Sequence, residues 1–221
     1  MSRIRLDTEK RSTQMALASP SKFHGAVENC FDWNNKGSES ESVSGIIRER
    51  KLWRIDQLAG NYYLLLLSSK EPNLQKFKNQ FGYPGDADEI KNYDNLLKRA
   101  VKGSVWQFRL AANPTHTVKE SQEKRGKVVA HTSEKYQMEW LYQKAAQNGF
   151  TVLTEDSCVM SSEWKIFYKK GGNNKNRVRV KETTYQGMLR VDDSELFQCA
   201  LINGIGREKA YGMGLLTIMR V

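Results

Sequence analysis

Cysteine, proline and histidine are scarce in this chain of 221 residues, with three, four and three copies. Cys30, Cys158 and Cys199 are odd in number and far apart, and no C-x-x-C pair occurs. That spacing argues against a disulfide framework or a zinc knuckle and fits a reducing cytoplasm. No apolar run approaches the ~18 residues of a membrane span, and the start MSRIRLDTEK lacks a signal peptide's apolar stretch, so no membrane partner is expected. No cluster of Asp, Glu and His has metal-ligand spacing, which disfavours a two-metal nuclease; neither a metal nor a cofactor is expected.

What is abundant is positive charge. Lys and Arg number 35 against 25 acids, a net charge of +10, and 19 of the basic but only 12 of the acidic side chains fall in residues 101–221. An excess of +7 concentrated in the second half is the electrostatic footprint of a polyanion binder. With 39% apolar residues, including 5 Trp, 9 Tyr and 8 Phe, the chain can also build real cores.

The apolar periodicity predicts a definite order of elements. Ile4 and Leu6 alternate with Arg3, Arg5 and Asp7 as in a half-buried strand. Phe23, Val27, Cys30 and Phe31 recur at helical spacing behind Pro20, which predicts a helix over 20–32. The small polar residues 34–45 read as a loop. RKLWRIDQL and YYLLLLSS read as two strands about a tight turn, 72–80 as a helix, and Tyr93 to Val101 as either helix or strand. A second round opens with the strand Val105 to Ala111 and a polar loop from Thr115 to Ala130. A helix follows Ser133, with Met138, Leu141, Tyr142 and Ala145 on one face and Gly149 as its stop. Strands are expected at 150–153, 164–170, 177–184 and 188–191, then a helix to Ile202 opened by a capping box of Asp192 with Glu195, then a strand at 215–219. Each round reads βαββαβ. The expected architecture is α+β, two tandem ferredoxin-like domains at 1–101 and 102–221.

Three stretches could carry chemistry. Residues 165–181 hold Lys165, Lys169, Lys170, Lys175, Arg177, Arg179 and Lys181 and no acid, about a GGNN turn. A two-stranded ribbon would string these cations along a projecting arm suited to phosphates; the plainer alternative is an edge hairpin blunted by charge. GIGREKAYGMG, residues 204–214, sets Gly204, Gly206 and Gly212 about Lys209, so that backbone N–H groups could approach an anion. It is not a dinucleotide fingerprint, because Lys209 stands where the third glycine belongs. His24 falls in the first turn of the first helix, beside Ser21 and Lys22, where it could act as a general acid or base or simply be structural.

Taken together, these residues resemble the CasE family of CRISPR repeat-processing endoribonucleases. The carrying segments are SPSKFHGAV, RERKLWRID, FRLAANP, KRGKVV, EKYQMEWLYQKAAQNGF and FQCALINGIGREKAYGMGLLTI, which span nearly the whole chain in the family's order. The resemblance implies metal-independent cleavage of a repeat RNA hairpin at the base of its stem, leaving a 2′,3′-cyclic phosphate. It also implies retention of the product as guide RNA with the other subunits of a Cascade-type complex. His24 would be the catalytic histidine, and the basic ribbon, the glycine-rich loop, and Lys124, Arg125 and Lys127 of KRGKVV would hold RNA. Family members commonly carry a tyrosine three residues before the histidine. Here that position is Ser21, which leaves Lys22 as a candidate for the assisting role.

Overall fold

A computed structural model describes residues 1–31, 50–119, 126–171 and 174–221, apart from the side chains of 170, 171, 174 and 175. The loop expected at 34–45 lies outside the described residues. Two compact units emerge, Met1–Lys91 and Asn92–Val221.

In the first unit the order is β1 (Ser2–Arg5), α1 (Arg11–Leu17), α2 (Ser21–Glu28), β2 (Leu52–Leu58), β3 (Asn61–Leu67), α3 (Gln75–Phe81) and β4 (Glu89–Ile90). The strands form one antiparallel sheet in the order β2-β3-β1-β4, the ferredoxin-like arrangement. Ile4, Leu64, Leu66 and Trp53 on the sheet meet Phe23 and Val27 of α2 and Phe77 and Phe81 of α3. Phe23 sits at the centre, its ring 5.1 Å from that of Phe81 and 5.9 Å from that of Trp53.

Helix α1 has no counterpart in the periodicity, because only Thr13 and Ala16 of its seven residues are buried. Tertiary contacts hold it instead. The Lys10 ammonium before it donates to the carbonyl of Asn79 at 3.2 Å, near the C-terminus of α3, where a cation is favoured. Thr13 donates to the Phe81 carbonyl at 3.1 Å.

In the second unit the order is α4 (Asp94–Leu97), β5 (Val105–Ala112), β6 (Thr115–Val118), β7 (Lys127–Ala130), α5 (Glu134–Gln147), β8 (Phe150–Gly171), β9 (Asn174–Val191), α6 (Ser194–Asn203) and β10 (Leu216–Met219). The sheet order β10-β5-β9-β8 is again ferredoxin-like. Trp106, Phe108, Leu110, Tyr185 and Leu189 pack there against Trp140, Leu141, Phe197 and Leu201. The stretch left open between helix and strand is the short α4, with Tyr93, Leu96, Leu97 and Ala100 packed on this core.

Three local expectations change. The polar stretch 115–130 is not all loop: its described parts pair as a hairpin, Thr115 opposite Ala130 and Thr117 opposite Val128. The four strands expected between 150 and 191 are two long ones with irregular register at Leu153/Cys158 and Val159/Ser161. The polar TEDSC segment interrupts the alternation without ending the strand, since a bulge absorbs it. Helix α6 is capped by Asp193, not Asp192. The Asp193 carboxylate accepts from the Leu196 N–H at 3.0 Å, because Asp193 has the extended backbone that an N-cap needs. Asp192 accepts instead from Thr151 at 2.6 Å and Arg190 at 3.1 Å, and the Thr151 bond holds its carboxyl below the usual range.

Candidate RNA-processing site

Helix α2 presents His24 because its other faces are occupied. Phe23, Ala26, Val27 and Cys30 are buried in the core, so Ser21, His24 and Glu28 form one flank at i, i+3 and i+7. His24 is half-buried, and its N–H donates to the Pro20 carbonyl at 3.1 Å, closing the first turn. Ser21, one turn back, has its hydroxyl 3.2 Å from that of Ser19. Lys22 lies elsewhere. Two residues from His24, it is about 200° around the helix, and it lines a groove of about 380 Å³ with Ser12, Met15, Gly25, Asn29 and Gln80. The structure thus brings Ser21 to His24's flank and sends Lys22 to another.

A cation that the sequence motifs do not single out lies on the His24 flank. Lys51 pairs with Glu28 at 2.6 Å and sits 4.6 Å above the Phe31 ring. Glu28 at i+4 from His24 is visible in the sequence; the partner from before β2 is not, because the pairing crosses 23 positions. The nearby Cys30 is no nucleophile, as burial pushes its thiol up to about 11 against the opposing pull of Lys51 and Lys76.

The basic ribbon exists, and its register sorts its charges. Trp164 stands opposite Lys181, Ile166 opposite Arg179 and Tyr168 opposite Arg177, so these six side chains share one face. Lys165, Phe167 and Lys169 share the other with Val178 and Val180. The second face is anchored at its base: Phe167 and Val180 are buried with Met213 of the glycine-rich loop, and the Tyr211 ring meets Phe167 edge-on at 4.8 Å. The first face is open, with Trp164, Ile166 and Tyr168 38%, 46% and 59% exposed. The Arg179 guanidinium lies 3.9 Å over the Trp164 ring, a cation–π contact that fixes its direction.

The seven cations are therefore not equivalent. Arg177, Arg179 and Lys169 are exposed. Lys181 is only 8% exposed and donates to the Ser162 carbonyl at 3.2 Å. Lys165 pairs with Glu163 at 3.1 Å and Glu182 at 3.7 Å. Burial opposes its charge, but these carboxylates outweigh burial and hold its pKa above the ordinary lysine value. Lys170 and Lys175 face each other near the tip, and their side chains lie outside the described residues, as do Lys124 and Arg125. Lys127 opens β7 and is exposed.

The glycine-rich loop departs from a simple anion cradle. Gly204, Gly206, Gly212 and Gly214 all have positive φ, from 71° to 88°, a region that other residues avoid. The N–H groups of Gly204, Gly212 and Gly214 bond to the carbonyls of Ala200, Lys209 and Ala111. Lys209 turns inward and donates to the Gly206 carbonyl at 2.6 Å. These glycines shape a turn bonded to itself, to α6 and to β5, and its Tyr211 and Met213 support the ribbon.

A family model described as CRISPR associated protein matches residues 1–220. The chain belongs to this family. Within it, the CRISPR-associated endoribonuclease Cse3 of Thermus thermophilus is 25% identical over 99% of this chain and 98% of its own length. The solved structure of CRISPR endoribonuclease Cse3 bound to a 19-nucleotide RNA superposes with a TM-score of 0.76 at 23% identity, over 99% and 98% of the two chains. A chain of a pre-nicking CRISPR RNA-guided surveillance complex gives 0.66 at 22% identity, with both chains fully covered. These likenesses confirm the tandem ferredoxin-like fold. Among the described residues, no group of His, Cys, Asp and Glu could hold a metal ion, and no helix is long and apolar enough to cross a membrane.

Proposed function

We propose that this protein is an endoribonuclease that cuts CRISPR repeat hairpins without metal and keeps the product as a subunit of an RNA-guided complex in the cytoplasm. The observation that carries the reading is the end-to-end similarity to an endoribonuclease of the same family, Cse3. In this reading the first unit cuts, through the His24 flank of α2, and the second grips, through the open face of the ribbon.

The chemistry resides in RNA itself. The 2′ oxygen beside the scissile phosphate attacks phosphorus, the P–O5′ bond breaks, and a 2′,3′-cyclic phosphate forms. The 2′-OH proton must leave and the departing O5′ must gain one. His24 moves one of these protons, and Ser21 on the same flank offers a hydroxyl to the phosphate where the family's tyrosine would reach. Lys51, held by Glu28 one turn beyond His24, supplies positive charge against the phosphorane more readily than Lys22, which faces another groove. The A-form major groove is too deep and narrow for side chains to read bases, so shape and phosphate contacts dominate hairpin recognition.

A 2′-deoxy substitution at the scissile nucleotide is expected to abolish cutting, while EDTA leaves the rate on the all-ribose hairpin unchanged. Sensitivity to chelator rejects metal independence, and a product with no cyclic phosphate rejects the internal nucleophile. Ser21 favours one second reading, a hairpin-holding subunit without cleavage; an intact hairpin after incubation with excess protein would establish it.

For the ribbon, replacing Lys169, Arg177 and Arg179 by Ala should weaken hairpin binding and flatten its salt dependence. Each phosphate contact contributes a slope of about −0.9 in log K against log salt for duplex DNA, so the change should be roughly 2 to 3 units. Folding should scarcely respond, because these charges are exposed. An unchanged slope in a filter-binding titration would make the ribbon a solvated edge.

A further inference from the structure

Three aromatic rings stack at the surface of the second unit, outside its apolar core. His116 of β6 lies against His131, just beyond β7, with ring centres 4.4 Å apart, and His131 lies against Tyr136 of α5 at 5.9 Å. Both pairs are stacked, each with 29° between the ring planes. The outer rings are the accessible ones: His116 is exposed and Tyr136 is 52% exposed, while His131 between them is half-buried. Burial, with His116 alongside, holds the pKa of His131 below the ordinary imidazole value against the pull of Glu139, so the middle ring is neutral at neutral pH.

The stack is fixed through the main chain. The N–H of His131 donates to the Pro114 carbonyl at 2.9 Å. The side-chain amide of Gln137, which is 1% exposed, donates to the His131 carbonyl at 2.9 Å. That same amide donates to the Ser162 hydroxyl at 2.8 Å. Ser162 stands two residues before Trp164 in β8 and so on the same face of the strand. One buried side chain therefore ties the rings to the root of the ribbon's open face.

The register of the β6–β7 hairpin sets what surrounds them. His116 stands opposite Val129 and Val118 opposite Lys127, so these four side chains share a face, and all four are exposed. The other face carries Thr115 and Thr117 and closes a cavity with Asn113, Trp140, Lys144 and Arg207. The His116 face points away from that cavity. At the far end of the stack the Lys135 ammonium lies 5.9 Å from the centre of the Tyr136 ring. Stacked rings flanked by lysines match a single strand of nucleic acid, in which every base has a flat face and every link a phosphate. Bases inside a stem are already paired and stacked, so only unpaired ones are free to extend the ladder.

We propose that His116, His131 and Tyr136 form a stacking platform for the unpaired nucleotides that adjoin the hairpin stem, with bases on the two outer rings and phosphates at Lys127 and Lys135. The proposal deepens the reading above and rests on it for the hairpin: the stem lies on the ribbon, and its single-stranded flank crosses to the rings beside the ribbon's root. Stacking accepts any base, so the platform should need the bases of the flank and be tolerant of their sequence.

The test measures binding of the whole chain to hairpins whose scissile nucleotide is 2′-deoxy, so that none is cut. Each stem is offered blunt, with single-stranded flanks, and with the same flanks made abasic. Intact flanks should tighten binding about tenfold or more over the blunt stem, the usual worth of a stacked base. Abasic flanks keep the phosphates and should lose most of that gain. 2-Aminopurine placed in the flank should be quenched on binding as it joins the stack. His116→Ala and Tyr136→Ala should each reduce the gain and together erase it, with affinity for the blunt stem unchanged, while Tyr136→Phe should keep it. Abasic flanks that bind as tightly as intact ones, or a double variant that keeps the whole gain, would overturn the proposal; if the double variant fails to fold, the abasic comparison decides. A chain that cuts hairpins but gains nothing from their flanks refutes only the platform. One that gains from intact flanks alone but leaves the all-ribose hairpin uncut refutes only the nuclease.

Discussion

Replacing His24 by Ala is expected to lower single-turnover hairpin cleavage by about 10² to 10⁴ while leaving hairpin affinity within a few-fold, since general acid–base catalysis is worth that much in rate. The expectation rests on position. His24 sits half-buried on a helix held by Phe23, Ala26 and Val27, none of which the substitution touches, so the fold should survive. Its imidazole is not part of the first unit's apolar core. The measurement pairs a cleavage time course with a binding isotherm on a 2′-deoxy hairpin, where binding is read without turnover. Parallel loss of both would assign His24 a structural role, and retention of cleavage would move the catalytic group elsewhere.

The second large effect concerns stability. Asp56→Ala should cost the first unit about 3 to 5 kcal/mol, the usual result of removing one member of a buried ion pair. Arg54 is 3% and Asp56 8% exposed. Their contact is two-pronged, Nε to Oδ1 at 2.7 Å and Nη2 to Oδ2 at 2.8 Å. Loss of the carboxylate takes the two-pronged partner from a guanidinium held in the interior. The double replacement Arg54→Met with Asp56→Leu should cost far less, because it removes both charges and keeps apolar volume. Urea unfolding of the three proteins checks this. A cost below about 1 kcal/mol for Asp56→Ala would mean that water reaches the guanidinium and screens it.

This pair illustrates a limit of periodicity. RKLWRIDQL reads as a strand, but that reading assigns Arg54 and Asp56 to a face without saying that the face is buried. They are two apart and thus on the same side of β2, so the sequence permits the pair. Burial follows from what packs over them.

The same division applies to the two functional regions. Phe23, Val27 and Cys30 at helical spacing were enough to place His24 at a helix start, because the period of an apolar stripe is a local property of the chain. They could not show that Lys22 leaves on another side from His24, or that Lys51 joins that flank through Glu28. Helix α1 was illegible because only Thr13 and Ala16 are buried, and a stripe that thin has no period to detect. In the ribbon the count of cations was plain. Their sorting was not: Lys181 is buried with its ammonium bonded to the Ser162 carbonyl, and Lys165 is paired with Glu163 and Glu182 just outside the basic stretch.

Short-range spacing and composition were enough for two successive α+β rounds, the positive second half and the helix-start histidine, but not for β4 (Glu89–Ile90) or for the two long strands of the second round. Tertiary packing settles which strands lie side by side, that Lys169, Arg177 and Arg179 are the exposed ones among the described ribbon cations, and that Asn113, Trp140, Lys144 and Arg207 line one cavity. Those residues come from three segments separated by up to 94 positions, from Asn113 to Arg207. Strand pairing and core packing bring them together, and no local pattern records which distant side chains will share a wall.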